Sequence, residues 1–300
     1  MQELIVIEGP TASGKTALAV ALAKLLNTVV LSADSRQFYK EIAIGTAKPD
    51  HEEMQGIRHY FIDSHSIHTP VTAAGFADEA LQLLQNELAH LPFVVVAGGS
   101  GMFIDALCIG LDPIPTDDTI QQQLRTEWET NGLQPLLDEL QQADPLFFAE
   151  ADTENPPRVM RALEVIRLTG KPYSEWRQKT PPPRPFKVSR FVIEHPREQL
   201  YERINIRVDL MMANGLLEEV RSMQPFQSLT SLQTVGYKEL FDYFDGKHSL
   251  EEAVEKIKQH TRNYAKRQLT WFKRHPESHW IPYSDIEIMT QTILQFINKQ

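Results

Sequence analysis

Residues 9–16 read GPTASGKT, and the segments on either side of them decide the fold. Before them, Leu4, Ile5, Val6 and Ile7 form a short apolar run that stops at Gly9 and Pro10. After them comes TALAVALAKLL, residues 16–26, built from strong helix formers. The eight residues satisfy GxxxxGK(S/T), and strand before plus helix after is the context in which that pattern cradles phosphate. Backbone N–H groups of such a loop converge on an anion at the positive end of the helix. Gly9, Pro10, Thr11, Ala12, Ser13, Gly14, Lys15 and Thr16 are therefore the expected phosphate-binding residues. Lys15 reaches the terminal phosphate, and the Thr16 hydroxyl is the expected Mg²⁺ ligand. The motif calls for a phosphate-bearing ligand without saying which one.

Working outward, residues 28–33 and 93–97 are further strand-like runs, with a helical stretch at 73–91 between them. Alternation of unbroken apolar strands with helices implies a parallel sheet covered on both faces. The expected fold class is α/β, a P-loop NTPase-like parallel sheet flanked by helices, with a helical insertion domain. The change of character comes after Leu111, where DPIPTDD leads into helical stretches at 120–131, 134–142 and 155–169. TPPPRP, residues 180–185, is stiff and extended, and reads as a hinge. Residues 113–184 are thus an insertion into a discontinuous core of residues 1–112 and 185–300. The strand-like run from Val188 to Glu194 returns the chain to the core sheet.

Asp34 follows the second strand, at the edge where open α/β sheets bind ligands. A carboxylate there is an outer partner of Mg²⁺, a general base, or the cap of the following turn. Gly98, Gly99 and Gly101 follow the third strand and let backbone come close to a ligand, with Ser100 among them. Thr46 and Lys48 in GTAKP suit either phosphate or RNA contact, or a plain surface loop. From Lys256 to His275 no acidic residue occurs, while Lys256, Lys258, Arg262, Lys266, Arg267, Lys273 and Arg274 all do. Leu250, Ala253, Val254, Ile257, Tyr264, Ala265, Gln268 and Phe272 form the inward stripe of that helix. In a chain of net charge −10, cations gathered on one helix are expected to meet a polyanion, the alternative being the solvated polar face of a packed helix. Arg203 and Arg207 lie one turn apart on a helix over residues 197–214, placed either to neutralise a leaving phosphate or to be solvated.

Composition narrows the remaining classes. The 300 residues, 42% hydrophobic, suffice for a substantial core. No apolar run reaches the roughly 20 residues that span a bilayer. The chain opens directly into a strand without a basic leader, and Cys108 is the single cysteine, so a reducing cytoplasmic setting is expected. His59, His65 and His68 lack the spacing of a zinc site. With no exposed apolar repeat, a monomer is expected.

The motifs, taken together, resemble the tRNA dimethylallyltransferases, also called tRNA isopentenyltransferases. The resemblance runs through GPTASGKT, DSRQFYKEIAIGTAKP at 34–49, RHYFID at 58–63, GGSGMFIDAL at 98–107 and PPRVMRALEVIRLTGK at 156–171. It continues through RVDLMMANGLLEEV at 207–220, LQTVGYKEL at 232–240 and TRNYAKRQLTWFKR at 261–274. It implies a P-loop that binds dimethylallyl diphosphate rather than ATP, and alkylation at N6 of adenosine 37, next to the anticodon. It makes Asp34 the general base, Lys15, Thr16 and Arg207 catalytic partners, and residues 113–184 a clamp on the anticodon stem-loop. RNA contacts are implied at Asp34, Ser35, Arg36, Gln37, Ser100, Pro157, Arg158, Val159, Met160 and Arg161. Further contacts are implied at Gln233, Gly236, Lys238, Lys266, Arg267 and Lys273. Gln122 stands where members often carry a basic residue, and Ser100 where many carry Thr.

Two rivals share the phosphate loop. A small-molecule or nucleotide kinase leaves the basic helix and the insertion without a purpose. An RNA-binding P-loop switch needs a guanine-reading NKxD-like segment, which this sequence lacks.

Overall fold

β1 (Glu3–Glu8) runs through the middle of a parallel sheet, and every residue of it is buried. The structure is a computed structural model describing residues 1–112, 114–177 and 183–299. The first half of the TPPPRP segment, residues 180–182, and Pro113 at the expected boundary lie outside the described residues.

In chain order β1 is followed by α1 (Lys15–Leu25), β2 (Val30–Ser32), α2 (His51–Met54), β3 (His59–Tyr60), α3 (Ala73–Gln85), β4 (Phe93–Gly98) and α4 (Gly101–Cys108). Next come α5 (Asp118–Asn131), α6 (Gln134–Ala143), α7 (Pro145–Glu150), α8 (Pro156–Thr169) and α9 (Tyr173–Trp176). β5 (Lys187–Glu194) then precedes α10 (Arg197–Ala213), α11 (Leu216–Met223), α12 (Tyr237–Phe244), α13 (Leu250–Phe272), β6 (His279–Pro282) and α14 (Ile286–Ile297). The described residues form two compact units, one of Met1–Cys108 with Arg184–Gln300 and the other of Ile109–Pro183.

The sheet order is β3-β2-β4-β1-β5-β6, with all pairs parallel. Period-two alternation divides β1 between two cores. Leu4 and Val6 join Leu31, Val94, Val96 and Phe76 on one face; Ile5 and Ile7 join Leu18, Leu22, Phe191 and Ile293 on the other. Both faces are apolar because both are covered by helices. Because the strands are parallel, the carboxyl ends of β1, β2, β4 and β5 meet at one edge, where ligands of such sheets bind. A third core, around Leu216, Leu232, Tyr237, Leu240 and Ile257, packs the helices that follow β5.

Local signals set the helix starts. Thr72, Asp117, Asn155 and Ser249 each accept a first-turn backbone N–H of α3, α5, α8 and α13 with their side chains. The second unit packs α5 to α8 about Leu124, Leu136, Leu140, Val159 and Leu163. One expected boundary changes, and short elements join those expected. α3 ends at Gln85, short of the expected 91, where the chain turns toward Pro92. β3 and β6 are edge strands of two and four residues, too short to carry a period. α7, six residues long and capped by Asp144, escapes detection for the same reason.

Candidate active site

The loop between β1 and α1 takes its shape from two left-handed residues, Ala12 at φ 64° and Gly14 at φ 89°. Alternating hand in successive residues turns the N–H groups into a concave anion nest. Gly9 has to lack a β-carbon, since one would lie 2.6 Å from the Ser13 hydroxyl inside the loop. Lys15, the first residue of α1, folds back and donates its ammonium to the Pro10 carbonyl at 2.8 Å. Burial pulls its pKa down to about 8, against the pull of Asp34 and with help from Arg207.

Asp34 follows β2 and is half-buried in the cavity that Lys15, Thr16, Arg207 and Tyr264 also line. One of its oxygens accepts the Arg36 N–H at 3.1 Å, which fixes the turn. The Ser35 N–H donates to the Ser100 hydroxyl at 3.0 Å, tying that turn to the end of β4. Gln37 bridges the Ser32 hydroxyl and the Ala47 carbonyl. Arg207 reaches the same carbonyl at 3.4 Å. Burial lowers the Arg207 pKa, while the facing Asp34 and Glu53 carboxylates raise it. Tyr264 is pushed up to about 12 by burial and by Asp34, so it is a neutral phenol.

The cavity measures about 970 Å³ and opens at the carboxyl edge of the sheet. α13 forms one wall. Gln268 on it accepts the Thr11 N–H at 2.9 Å and donates to the Gly99 carbonyl at 2.8 Å, joining the first loop to the third. The glycines at 98, 99 and 101 are required by protein packing, and Gly98 also lines the cavity. A β-carbon at Gly98 would meet the Ala33 backbone, at Gly99 the Gln268 amide, and at Gly101 the Trp271 ring. Protein packs there. Opposite α13, Glu219 accepts the N–H groups of Ala43, Ile44 and Gly45 and the Tyr237 hydroxyl, and so shapes the GTAKP loop.

A family model described as IPP transferase matches residues 37–275. The tRNA dimethylallyltransferase 2 of Parabacteroides distasonis is 44% identical over 298 residues, 99% of this chain and 100% of its own length. This chain belongs to the IPP transferase family. A crystal structure of the full-length tRNA isopentenylpyrophosphate transferase from Bacillus halodurans matches with a TM-score of 0.74 at 36% identity, covering 100% of this chain and 96% of that one. A eukaryotic dimethylallyltransferase acting on tRNA matches with a TM-score of 0.79 at 25% identity, over 96% of this chain and 75% of that one.

The remaining expected positions of this IPP transferase spread over both units. Arg36 donates to the Thr230 and Ser231 carbonyls. Gln233 and Lys238 are exposed, and Gly236, at φ 96°, caps α12. On α13, Lys256, Lys258 and Arg262 are engaged with His248, Asp209 and Asn205. Lys266, Arg267, Lys273 and Arg274 are exposed. In the insertion, Gln122, Pro157 and Arg158 are exposed on α5 and α8, and Met160 is half-buried. Arg161 is paired with the buried Glu164 carboxylate at 2.6 Å. Val159 is a correction: at 0% exposure it packs in the helical core, so its side chain is closed to RNA.

Sequence reading missed the roles of Tyr264, Gln268 and Glu219. Tyr264 and Gln268 lie four residues apart on the inward face of a helix, where a packing stripe and a site wall look alike. Nothing in the spacing of Glu219 separates it from a solvated helix residue.

Proposed function

We propose that this enzyme transfers a dimethylallyl group from dimethylallyl diphosphate to N6 of adenosine 37 in tRNA, beside the anticodon, and releases diphosphate. The observation that carries the reading is one cavity lined at once by the phosphate loop with Lys15, by Arg207, and by the Asp34 carboxylate.

The N6 amine is a poor nucleophile, because its lone pair is delocalised into the purine. The allylic carbon has to be made electrophilic, which requires that the charge growing on the departing diphosphate be met by fixed donors. Loop amides and the buried Lys15 and Arg207 supply them, and buried charges act more strongly than charges in water. As the C–O bond breaks and the N6–C bond forms, Asp34 takes the N6 proton. The adenine has to leave its stack to reach Asp34, and the neutral Tyr264 phenol beside that carboxylate lines its path without adding charge.

Among the described residues no group of His, Cys, Asp or Glu forms a protein-built metal cage. The donor set at Thr16 suits a hard cation held through a hydroxyl and substrate phosphates, the usual manner of Mg²⁺. Bound there, the ion would offset charge on the leaving group. Arg36, Gln233, Lys238 and Arg267 around the cavity, with the exposed Lys266 on α13, are the proposed RNA-facing set, and the unit of residues 109–183 is the proposed anticodon stem-loop clamp. RNA readout of this kind targets exposed loop bases, since the deep groove of A-form RNA excludes side chains.

Incubation of unmodified tRNA with dimethylallyl diphosphate and Mg²⁺, followed by mass spectrometry of nuclease digests, tests the reading. A five-carbon increment on the anticodon-loop adenosine is expected. Phosphoryl transfer from ATP to a metabolite, with no prenylated nucleoside, would replace it by a kinase.

A further inference from the structure

The outer side of the phosphate loop is held by residues to which the transfer chemistry gives no part. Arg203 donates its Nε to the Ala12 carbonyl at 2.8 Å, and His195 Nε2 lies 2.9 Å from the Ser13 carbonyl. A carbonyl oxygen only accepts, so the imidazole carries its proton on Nε2. Its Nδ1 is buried without a hydrogen-bond partner among the described residues. Burial lowers the pKa of the ring, against its bond to Ser13 and with the help of the Arg203 and Lys15 charges, so the ring is neutral.

Tyr283 joins the two. Its ring stacks on His195 with centroids 4.1 Å apart and planes inclined by 25°. The Arg203 guanidinium carbon lies 5.0 Å from the centroid of the same ring, and Nη1 is 3.4 Å from the phenol oxygen. The Tyr283 N–H donates to the Glu194 carbonyl at 2.8 Å, which anchors the stack to the end of β5. Tyr283 also bounds the loop: a β-carbon added at Gly14 would stand 3.5 Å from its Cε2. Arg203 and His195 thus hold two consecutive peptide units, and Tyr283 backs them both.

Those two units matter because the C=O and N–H of a planar trans peptide point in opposite directions. Holding the Ala12 and Ser13 carbonyls outward turns the Ser13 and Gly14 N–H groups inward. The Ser13 N–H donates to the Pro10 carbonyl of the same loop at 3.2 Å. Ala12 is left-handed, a conformation in which an alanine is held only at an energetic cost. The outward bonds offset that cost before any ligand arrives.

We propose that His195, Tyr283 and Arg203 are positioning residues that pre-set the amides of the phosphate loop for the diphosphate of the prenyl donor. The proposal rests on the reading of this loop as the donor site, and it assigns the clamp to donor binding alone, apart from RNA.

Two measurements test it: calorimetric binding of inorganic pyrophosphate with Mg²⁺, and separate KM values for dimethylallyl diphosphate and tRNA. His195→Phe keeps a ring against Tyr283 and removes the N–H. Its pyrophosphate affinity should fall about tenfold and its donor KM rise in step, with the tRNA KM unchanged. His195→Gln, which keeps a donor at the end of a side chain of similar reach, should recover most of the loss. Tyr283→Leu should weaken pyrophosphate binding as His195→Phe does, and Tyr283→Phe should stay within twofold of wild type. If His195→Phe does not fold, the two Tyr283 variants carry the comparison. Wild-type pyrophosphate affinity in both His195→Phe and Tyr283→Leu would overturn the clamp, as would an equal loss toward donor and tRNA. A wild-type protein that binds no pyrophosphate would instead overturn the donor-site reading beneath it.

Discussion

The Lys15 ammonium donates to the Pro10 carbonyl of its own loop at 2.8 Å, so the loop closes upon its principal cation. With a pKa near 8, raised toward normal by Asp34 but lowered by burial and by Arg207, that lysine is poised to change charge when an anion arrives.

Diphosphate binding should therefore take up protons at alkaline pH. A bound anion raises the Lys15 pKa, so above about 8 a neutral lysine in the free protein becomes an ammonium in the complex. At pH 6.5 it is charged in both states, and this uptake is absent. Calorimetry at pH 9 in buffers of different ionisation enthalpy should show uptake that Lys15→Met lacks, and an affinity that weakens as pH rises through 8. Zero uptake at pH 9 would contradict the assignment.

Glu8, the last residue of β1, is fully buried, and neither carboxylate oxygen has a hydrogen-bond partner among the described residues. Arg190 Nη1 is 3.7 Å away, while Nη2 is bound to Asp105 at 2.6 Å. Burial pushes the Glu8 pKa up to about 7, against the Arg190 charge. A carboxyl whose folded pKa is raised destabilises the fold as pH climbs from its unfolded value, and fully so above 7. Glu8→Gln should be neutral near pH 4.5 and stabilising at pH 8.5, by at most about 3 kcal/mol. Denaturant midpoints at both pH values check this; a gain independent of pH would contradict it.

Glu219 gathers three backbone N–H groups and the Tyr237 hydroxyl, and the loop it shapes carries the Ala47 carbonyl that Arg207 and Gln37 share. Tyr237→Phe removes one of these bonds and should cost about 1 kcal/mol, whereas Glu219→Ala strands several donors and should cost roughly 2–4 kcal/mol. Urea unfolding measures both. Equal effects would show that the carboxylate does not organise the loop.

The core of the fold is legible because β1, β4 and β5 are apolar runs long enough to read, and because GPTASGKT needs a strand before it and a helix after it. Lys15, Thr16, Asp34 and Arg207 could be gathered because each lies in or beside a motif, and the structure brings them to one cavity. The rest depends on pairings far apart in sequence. Gln268 meets Thr11 across 257 positions, and His195 meets Ser13 across 182; no local pattern records either. The glycines at 98, 99 and 101 are ambiguous for the reverse reason: absence of a side chain signals close approach, without saying whether ligand or protein approaches.

Lys266 and Arg267 are exposed on α13, and Arg267 also lines the cavity. Replacing either by Ala should weaken tRNA binding and reduce the slope of log affinity against log salt by about 0.7–0.9 for each phosphate that the side chain neutralises. Filter binding at several salt concentrations measures it. Unchanged slopes for both would move the RNA surface off this helix.

The most direct test of the proposed chemistry is the single-turnover rate of prenyl transfer in Asp34→Asn, measured beside its affinity for tRNA. Loss of a general base removes about 10²–10⁴-fold in rate, so a drop of that order with tRNA affinity preserved is the expected result. Transfer at the wild-type rate would contradict it, and Asp34 would no longer be the group that takes the N6 proton.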